Sequence, residues 1–294
     1  MTQDQGPQNT SGPWGRRDGS DAVTPQEVAP TYRPEGSLGQ RLEKERGSSR
    51  AKSNAWLVLS TLLMVGFLWM LTGSWIIAAS VMFGLFVHEY GHVLAMNRVG
   101  MGPARIYIIP FLGGLAKATS EAKTEWTGVL VALAGPAFGL LAMLPLLAVG
   151  FATGNSEWMA GAFFVAMLNL INLVPAPPLD GSRALGPVLA RVHPVLEKLV
   201  LLAIGVAVVG WGISTGRYIL AVFLGLALWG HMSKGGLRSF AGPLSWAEAG
   251  KATGLFVLTG VACAGAAVGA LLAVNGGSGQ QALNMIARYI GISV

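Results

Sequence analysis

A single cysteine, Cys263, among 294 residues excludes an intrachain disulfide and a thiolate metal cluster. Charge is scarce too: Asp, Glu, Lys and Arg make up 12% of the chain, about half the share of a soluble domain. Aspartate is scarcest among the acids, and three of its four positions, Asp4, Asp18 and Asp21, fall at the amino-terminal end, leaving Asp180 alone in the rest of the chain. Histidine is limited to four positions, so any histidine constellation stands out. What replaces the missing polar residues is hydrocarbon: 52% of residues are hydrophobic and the mean hydropathy is +0.55. That composition belongs to a membrane protein. The net charge of +6 is no argument for nucleic acid, because its basic residues sit in the amino-terminal tail and in short loops beside apolar runs, where they orient a membrane protein.

Residues 1–52 mix Gly, Pro, Ser, Thr and charges of both signs without apolar periodicity, and are expected to form a disordered cytoplasmic tail. The first apolar run begins only near Ala55, too late for a cleaved signal peptide, so it reads as a retained membrane helix. Apolar spans follow at about 55–72, 75–97, 127–150, 158–174, 196–214, 217–232 and 252–274. The expected fold is an all-α polytopic membrane protein of about seven transmembrane helices, or six if the fifth and sixth merge where Gly210, Gly212 and Gly216 blur their junction. Residues 53–232 would form the core, and 233–294 an extra transmembrane helix and a carboxy-terminal tail. Small residues in the last span, from Gly260 to Gly269, suit close helix contact.

Arg41, Lys44, Arg46, Arg50 and Lys52 precede the first span and place the amino terminus in the cytoplasm. Alternate loops agree, with Arg98, Arg105, Lys117 and Lys123 after the second span and Arg183, Arg191 and Lys198 after the fourth. Between the second and third spans, Arg105–Lys117 carries β-branched and aromatic residues around Gly113-Gly114. It reads as a membrane-associated β-hairpin that turns at the two glycines.

The second span holds His88-Glu89-Tyr90-Gly91-His92. Histidines four apart on a helix project from one face about 6 Å apart, so both can reach one Zn²⁺ while Glu89 acts on a water. His88 lies about ten residues, or roughly 15 Å, from the cytoplasmic end of the span. An ionisable cluster at that depth is costly unless it serves a protected polar cavity. Two histidines do not complete a catalytic zinc site, which usually has three protein ligands. Asp180 is the natural candidate for the third. It ends Asn169-Leu-Ile-Asn172-Leu-Val-Pro175-Ala-Pro177-Pro178-Leu179-Asp180-Gly181, where prolines break an apolar helix and leave backbone that is tolerated only beside protein or water. His193 and His231 lack ligand spacing and read as interfacial or packing residues.

Together, His-Glu-x-x-His in one membrane helix and Asn-x-x-Pro-x-Pro-x-Leu-Asp-Gly in a later one resemble the site-2 protease family of intramembrane zinc metalloproteases, over roughly residues 55–232. The resemblance implies that His88, His92 and Asp180 ligate Zn²⁺, that Glu89 is the catalytic acid/base, and that Asn172 assists at the substrate carbonyl. It also implies that Pro110, Phe111, Gly113 and Gly114 of the hairpin bind substrate by strand addition. One departure is visible. Ala134-Gly135-Pro136-Ala137-Phe138-Gly139 is similar to the family's Gly-Pro-x-x-Asn element, but Gly139 stands where Asn often occurs, so a polar contact is expected to be missing. No loop is long enough to be the PDZ or CBS domain of some relatives.

The implied partners are a transmembrane protein substrate and the lipid bilayer, without nucleic acid, and the implied location is the bacterial inner membrane. A metal transporter would instead string polar residues across the membrane, and a catalytically silent homologue that binds membrane helices would have no need of Glu89 with three ligands. Nothing in the residues sets the substrate or the oligomeric state.

Overall fold

The computed structural model describes residues 55–109, 113–233 and 242–276. The expected tail 1–52, the hairpin tip with Pro110 and Phe111, and the final stretch from 277 lie outside the described residues. Among the described residues, eight helices and one hairpin follow in order: α1 (Ala55–Thr72), α2 (Trp75–Arg98), β1 (Arg105–Ile109), β2 (Gly113–Lys117), α3 (Glu125–Thr153), α4 (Ser156–Asn172), α5 (Asp180–Val192), α6 (Pro194–Ser214), α7 (Tyr218–Ser233) and α8 (Trp246–Val274). Each of the seven expected apolar spans is a helix. Five of them, α1, α2, α3, α6 and α8, are long and apolar enough to cross a membrane. The 17-residue α4 and 16-residue α7 fall short of that length.

Local chemistry sets the boundaries. The Ser74 hydroxyl accepts from the Ile77 N–H at 3.3 Å to start α2. Thr124 with Thr127, and Ser245 with Glu248, form capping boxes for α3 and α8. Helix α3 runs through Pro136 and Pro145 without ending, which its packing against neighbouring helices permits. Helix α5 was not expected. It is 13 residues long and contains Pro187, too short for a span and hidden behind the prolines that break α4.

Helices α2, α3 and α4 pack against one another as the centre of the molecule, and their close approach depends on missing side chains. A Cβ on Gly84 of α2 would stand 2.7 Å from Val165 Cγ1 of α4, and one on Gly91 would stand 2.6 Å from the Ala134 carbonyl oxygen of α3. Without a hydrophobic drive between helices in lipid, such small-residue contacts supply the van der Waals attraction. Helix α1 joins through Met64, packed with Leu85 of α2 and Ile108 of β1. Helix α8 buries Cys263, Ala267, Ala270 and Leu271, with Ala267 and Ala270 packed against Ala162, Val165 and Ala166 of α4. Its alanines make the close contact, whereas Gly260, Gly265 and Gly269 face open space. Exposed large apolar side chains such as Trp56, Met70, Phe151, Leu226 and Val261 coat the outside, as lipid-facing surfaces require.

The hairpin pairs Ile109 with Gly113, Ile108 with Gly114 and Ile106 with Ala116. The sequence reading put the turn at Gly113-Gly114. Both glycines instead belong to β2, and the connection is 110–112. Ile108 and Ala116 are buried toward the helices, while Tyr107, Ile109 and Leu115 are exposed.

Candidate metal centre

Helix α2 places His88 and His92 one turn apart, and both are buried. Asp180 opens α5, at the helix N-terminus that favours a carboxylate. The chain reaches that position through a sharp path: the Leu179 N–H bonds the Ala176 carbonyl at 2.9 Å. A Cβ on Gly181 would run into the Leu173 and Val174 carbonyls, so this turn admits only glycine after the aspartate.

Three donor atoms converge. His88 Nε2 lies 3.1 Å from Asp180 Oδ2, His92 Nε2 lies 3.2 Å from the same oxygen, and the two Nε2 atoms are 3.1 Å apart. Zinc bonds of about 2.0–2.1 Å in a tetrahedral set imply ligand atoms about 3.3 Å from each other, close to these separations.

The far side of each imidazole decides what the near side offers. His92 Nδ1 is 2.8 Å from the Val131 carbonyl oxygen of α3. A carbonyl only accepts, so His92 Nδ1 carries the hydrogen. His88 Nδ1 is 2.8 Å from Asn169 Oδ1, and Asn169 Nδ2 donates to the Val165 carbonyl at 2.8 Å. That second bond fixes which end of the amide faces His88, so His88 Nδ1 is also the protonated nitrogen. With Nδ1 holding the hydrogen, each imidazole in its metal-binding form would direct a bare Nε2 lone pair at the other and at a carboxylate oxygen. Such a set repels itself unless a cation lies between them, and a borderline-soft divalent ion with N and O ligands fits the chemistry.

Glu89 is buried beside them, interacts electrostatically with both histidines and Asp180, and accepts from the Ala116 backbone N–H of β2. A Cβ on Gly114 would come within 2.6 Å of Glu89 Oε1. The second hairpin glycine is therefore required by the approach of Glu89 rather than by a turn. Gly113, with φ of 117°, sits in the region that favours glycine.

Asn172 does not touch the cluster through any of its described hydrogen bonds: its Nδ2 donates to the Leu168 carbonyl of its own helix at 3.1 Å. The asparagine that reaches a histidine is Asn169, which is fully buried and which the sequence reading passed over. A polar contact to His88 thus comes from α4, and Gly139 of α3 faces the amide that makes it. His193 is exposed and caps α6 by accepting from the Val195 N–H at 3.2 Å. The side chain of His231 lies outside the described residues. Among the described residues, the remaining buried polar side chains are four serines, Ser60, Ser74, Ser80 and Ser182, each bonded to nearby backbone. They form no ionisable path across the helices.

Residues 76–156 match the family model of peptidase family M50. Over 136 residues the chain is 33% identical to sll0528 of Synechocystis sp., assigned as a zinc metalloprotease, across 44% of this chain and 35% of that protein. Rip3 of Mycobacterium tuberculosis, with the same assignment, is 30% identical over 159 residues, which are 51% of this chain and 38% of that protein. The chain therefore spans well under half the length of these curated relatives. No solved structure matches it. Residues 76–156 are thus similar to peptidase family M50, in keeping with the site-2 protease motifs, and His88, His92 and Asp180 are placed to hold one metal ion. The family match holds His88, Glu89 and His92 but ends before Asp180, so the third donor rests on geometry.

Proposed function

We propose that this protein is a zinc metalloendopeptidase that hydrolyses peptide bonds within or beside the transmembrane segments of other membrane proteins. The observation that carries the reading is the convergence of His88 Nε2, His92 Nε2 and Asp180 Oδ2 beside the buried carboxylate of Glu89.

When bound by His88, His92 and Asp180, zinc would supply Lewis acidity that makes water a competent nucleophile near neutral pH. Glu89 accepts the proton from the attacking water at a carboxylate oxygen and delivers it to the departing amine. The Ala116 N–H steadies that carboxylate, and Gly114 leaves room for it. Asn172 has a second Nδ2 hydrogen beyond the one given to Leu168, and its role is to donate to the developing oxyanion. Gly113 and Gly114, with Pro110 and Phe111 before them, are the segment along which substrate backbone adds as a strand. Helical substrate has its carbonyls engaged, so cleavage favours sequences that unwind easily, with Gly or other weak helix formers near the scissile bond.

The basic residues flanking the spans support an amino terminus in the cytoplasm and a site nearer that face, in a bacterial inner membrane. Purified full-length protein in detergent, incubated with a model transmembrane substrate, tests the reading. Wild type should cleave, and Glu89→Gln should retain zinc while losing about 10²- to 10⁴-fold in rate. Cleavage by Glu89→Gln at the wild-type rate would refute the assignment.

A further inference from the structure

We propose that Asn169 is a positioning residue that sets the tautomer of His88, and that Gly139 is the vacancy that admits it, the two forming an exchangeable pair across the α3–α4 contact. Asn169 is fully buried and its amide is committed at both ends, with Oδ1 accepting from His88 Nδ1 and Nδ2 donating to the Val165 carbonyl, each at 2.8 Å. That arrangement holds the hydrogen on the outer nitrogen and leaves Nε2 bare toward Asp180 and His92. An outer partner of this kind fixes ring orientation and raises ligand basicity.

The second half of the argument is steric. A Cβ built on Gly139 would overlap Oδ1, Nδ2 and Cγ of Asn169 together. The space beside His88 thus holds one amide and no more, and any side chain at 139 must evict the one from 169. The overlap also shows where an amide entering from α3 would lie. An asparagine oxygen stands two bonds from its own Cβ, so Gly139→Asn would bring an amide oxygen close to the point that Asn169 Oδ1 now occupies. The sequence carries a small residue on one helix and the amide on the other, and the geometry makes the reverse assignment equivalent.

The inference deepens the metallopeptidase reading but is tested on zinc binding, so loss of cleavage with zinc binding intact would strike that reading and leave this one standing. Zinc affinity is measured by chelator competition on full-length protein in detergent, with a thermal melt to register folding. Asn169→Ala should weaken zinc by about ten- to a hundredfold. Gly139→Asn alone should also weaken it, through collision with Asn169. The double variant Gly139→Asn/Asn169→Gly should recover zinc binding to within a few-fold of wild type. Imidazole ¹⁵N shifts of the zinc-free, histidine-labelled protein give a readout that packing alone would not move: His88 should be Nδ1-protonated in wild type and in the exchanged variant, and a tautomer mixture in Asn169→Ala. If Asn169→Ala does not fold, the exchanged variant decides alone. The proposal is overturned by a folded Asn169→Ala that binds zinc as wild type does, by an unchanged His88 tautomer in it, or by an exchanged variant no better than its weaker parent.

Discussion

Replacing Gly135 by alanine adds one methyl group at the point where the two histidine rings press on α3. A Cβ there would stand 2.9 Å from His88 Nε2 and 2.5 Å from His92 Cε1, short by about 0.5 and about 0.9 Å of the 3.4 Å at which ordinary contact begins. The rings cannot retreat freely, because each is held at its other nitrogen by a 2.8 Å hydrogen bond, His88 to Asn169 and His92 to the Val131 carbonyl. Overpacking of this kind costs about 1–3 kcal/mol, while alanine gains about 1 kcal/mol over glycine in helix propensity, so the folded state should lose about 0–2 kcal/mol. Zinc should suffer more, since a metal site tolerates displacements of only about 0.5 Å. A ten- to hundredfold loss in zinc affinity is expected, equivalent to about 1.4–2.7 kcal/mol. Chelator competition with a parallel thermal melt measures both effects. Gly128→Ala is the control, because its Cβ would meet only the Ala122 methyl at 3.9 Å, and it should leave zinc unchanged. Wild-type zinc affinity in Gly135→Ala would refute the placement of the donors against α3.

Because zinc binds only the assembled site, chelation should lower the thermal midpoint of the wild type, by a stability of about 2.7 kcal/mol when free zinc is a hundred times Kd. Asp180→Asn should lower zinc content and shrink that chelator shift, and an undiminished shift would remove Asp180 from the ligand set. Gly84→Ala should destabilise the protein by about 1–3 kcal/mol, since its methyl drives into Val165 between α2 and α4; a rise in the melting temperature would count against that contact. Glu125→Ala removes the 3.1 Å acceptor of the Leu244 N–H just ahead of α8, and should cost about 1 kcal/mol and speed hydrogen exchange at that amide.

The parts of the site legible in the sequence were those whose signal is local. His88 and His92 announce themselves by helical spacing, and Asp180 by being the lone aspartate beyond the tail, beside prolines that no lipid-exposed helix would hold. The hairpin was visible from its β-branched residues, although its glycines were read as a turn because an approach by Glu89 from another element leaves no local trace. Helix α5 was hidden because prolines on both sides of Asp180 resemble a continuing interruption. Asn169 was missed for a related reason. Its meaning depends on Gly139, thirty positions earlier and on a different helix, and only the pair of departures, a glycine where an amide belongs and an extra asparagine one turn before Asn172, could have pointed to it.

The same dependence runs through the whole centre. Four of its polar groups face a residue without a side chain: the two histidines face Gly135, Asn169 faces Gly139, and Glu89 faces Gly114. In a membrane interior a buried polar group must be paired or it is costly, and pairing at 2.8–3.2 Å across separate elements requires their backbones to come nearer than Cβ atoms allow. Glycine on the facing element meets that requirement while leaving no space for lipid, and it puts backbone donors and acceptors, such as the Ala116 N–H and the Val131 carbonyl, within reach of the ligands. Charge completes the reasoning. Glu89 and Asp180 bring two carboxylates into an apolar setting with histidines but no Lys or Arg among their described partners, and one divalent cation would neutralise both. A divalent cation bound there would thus be part of what makes the polar centre tolerable at depth, and the glycines fix where it could sit.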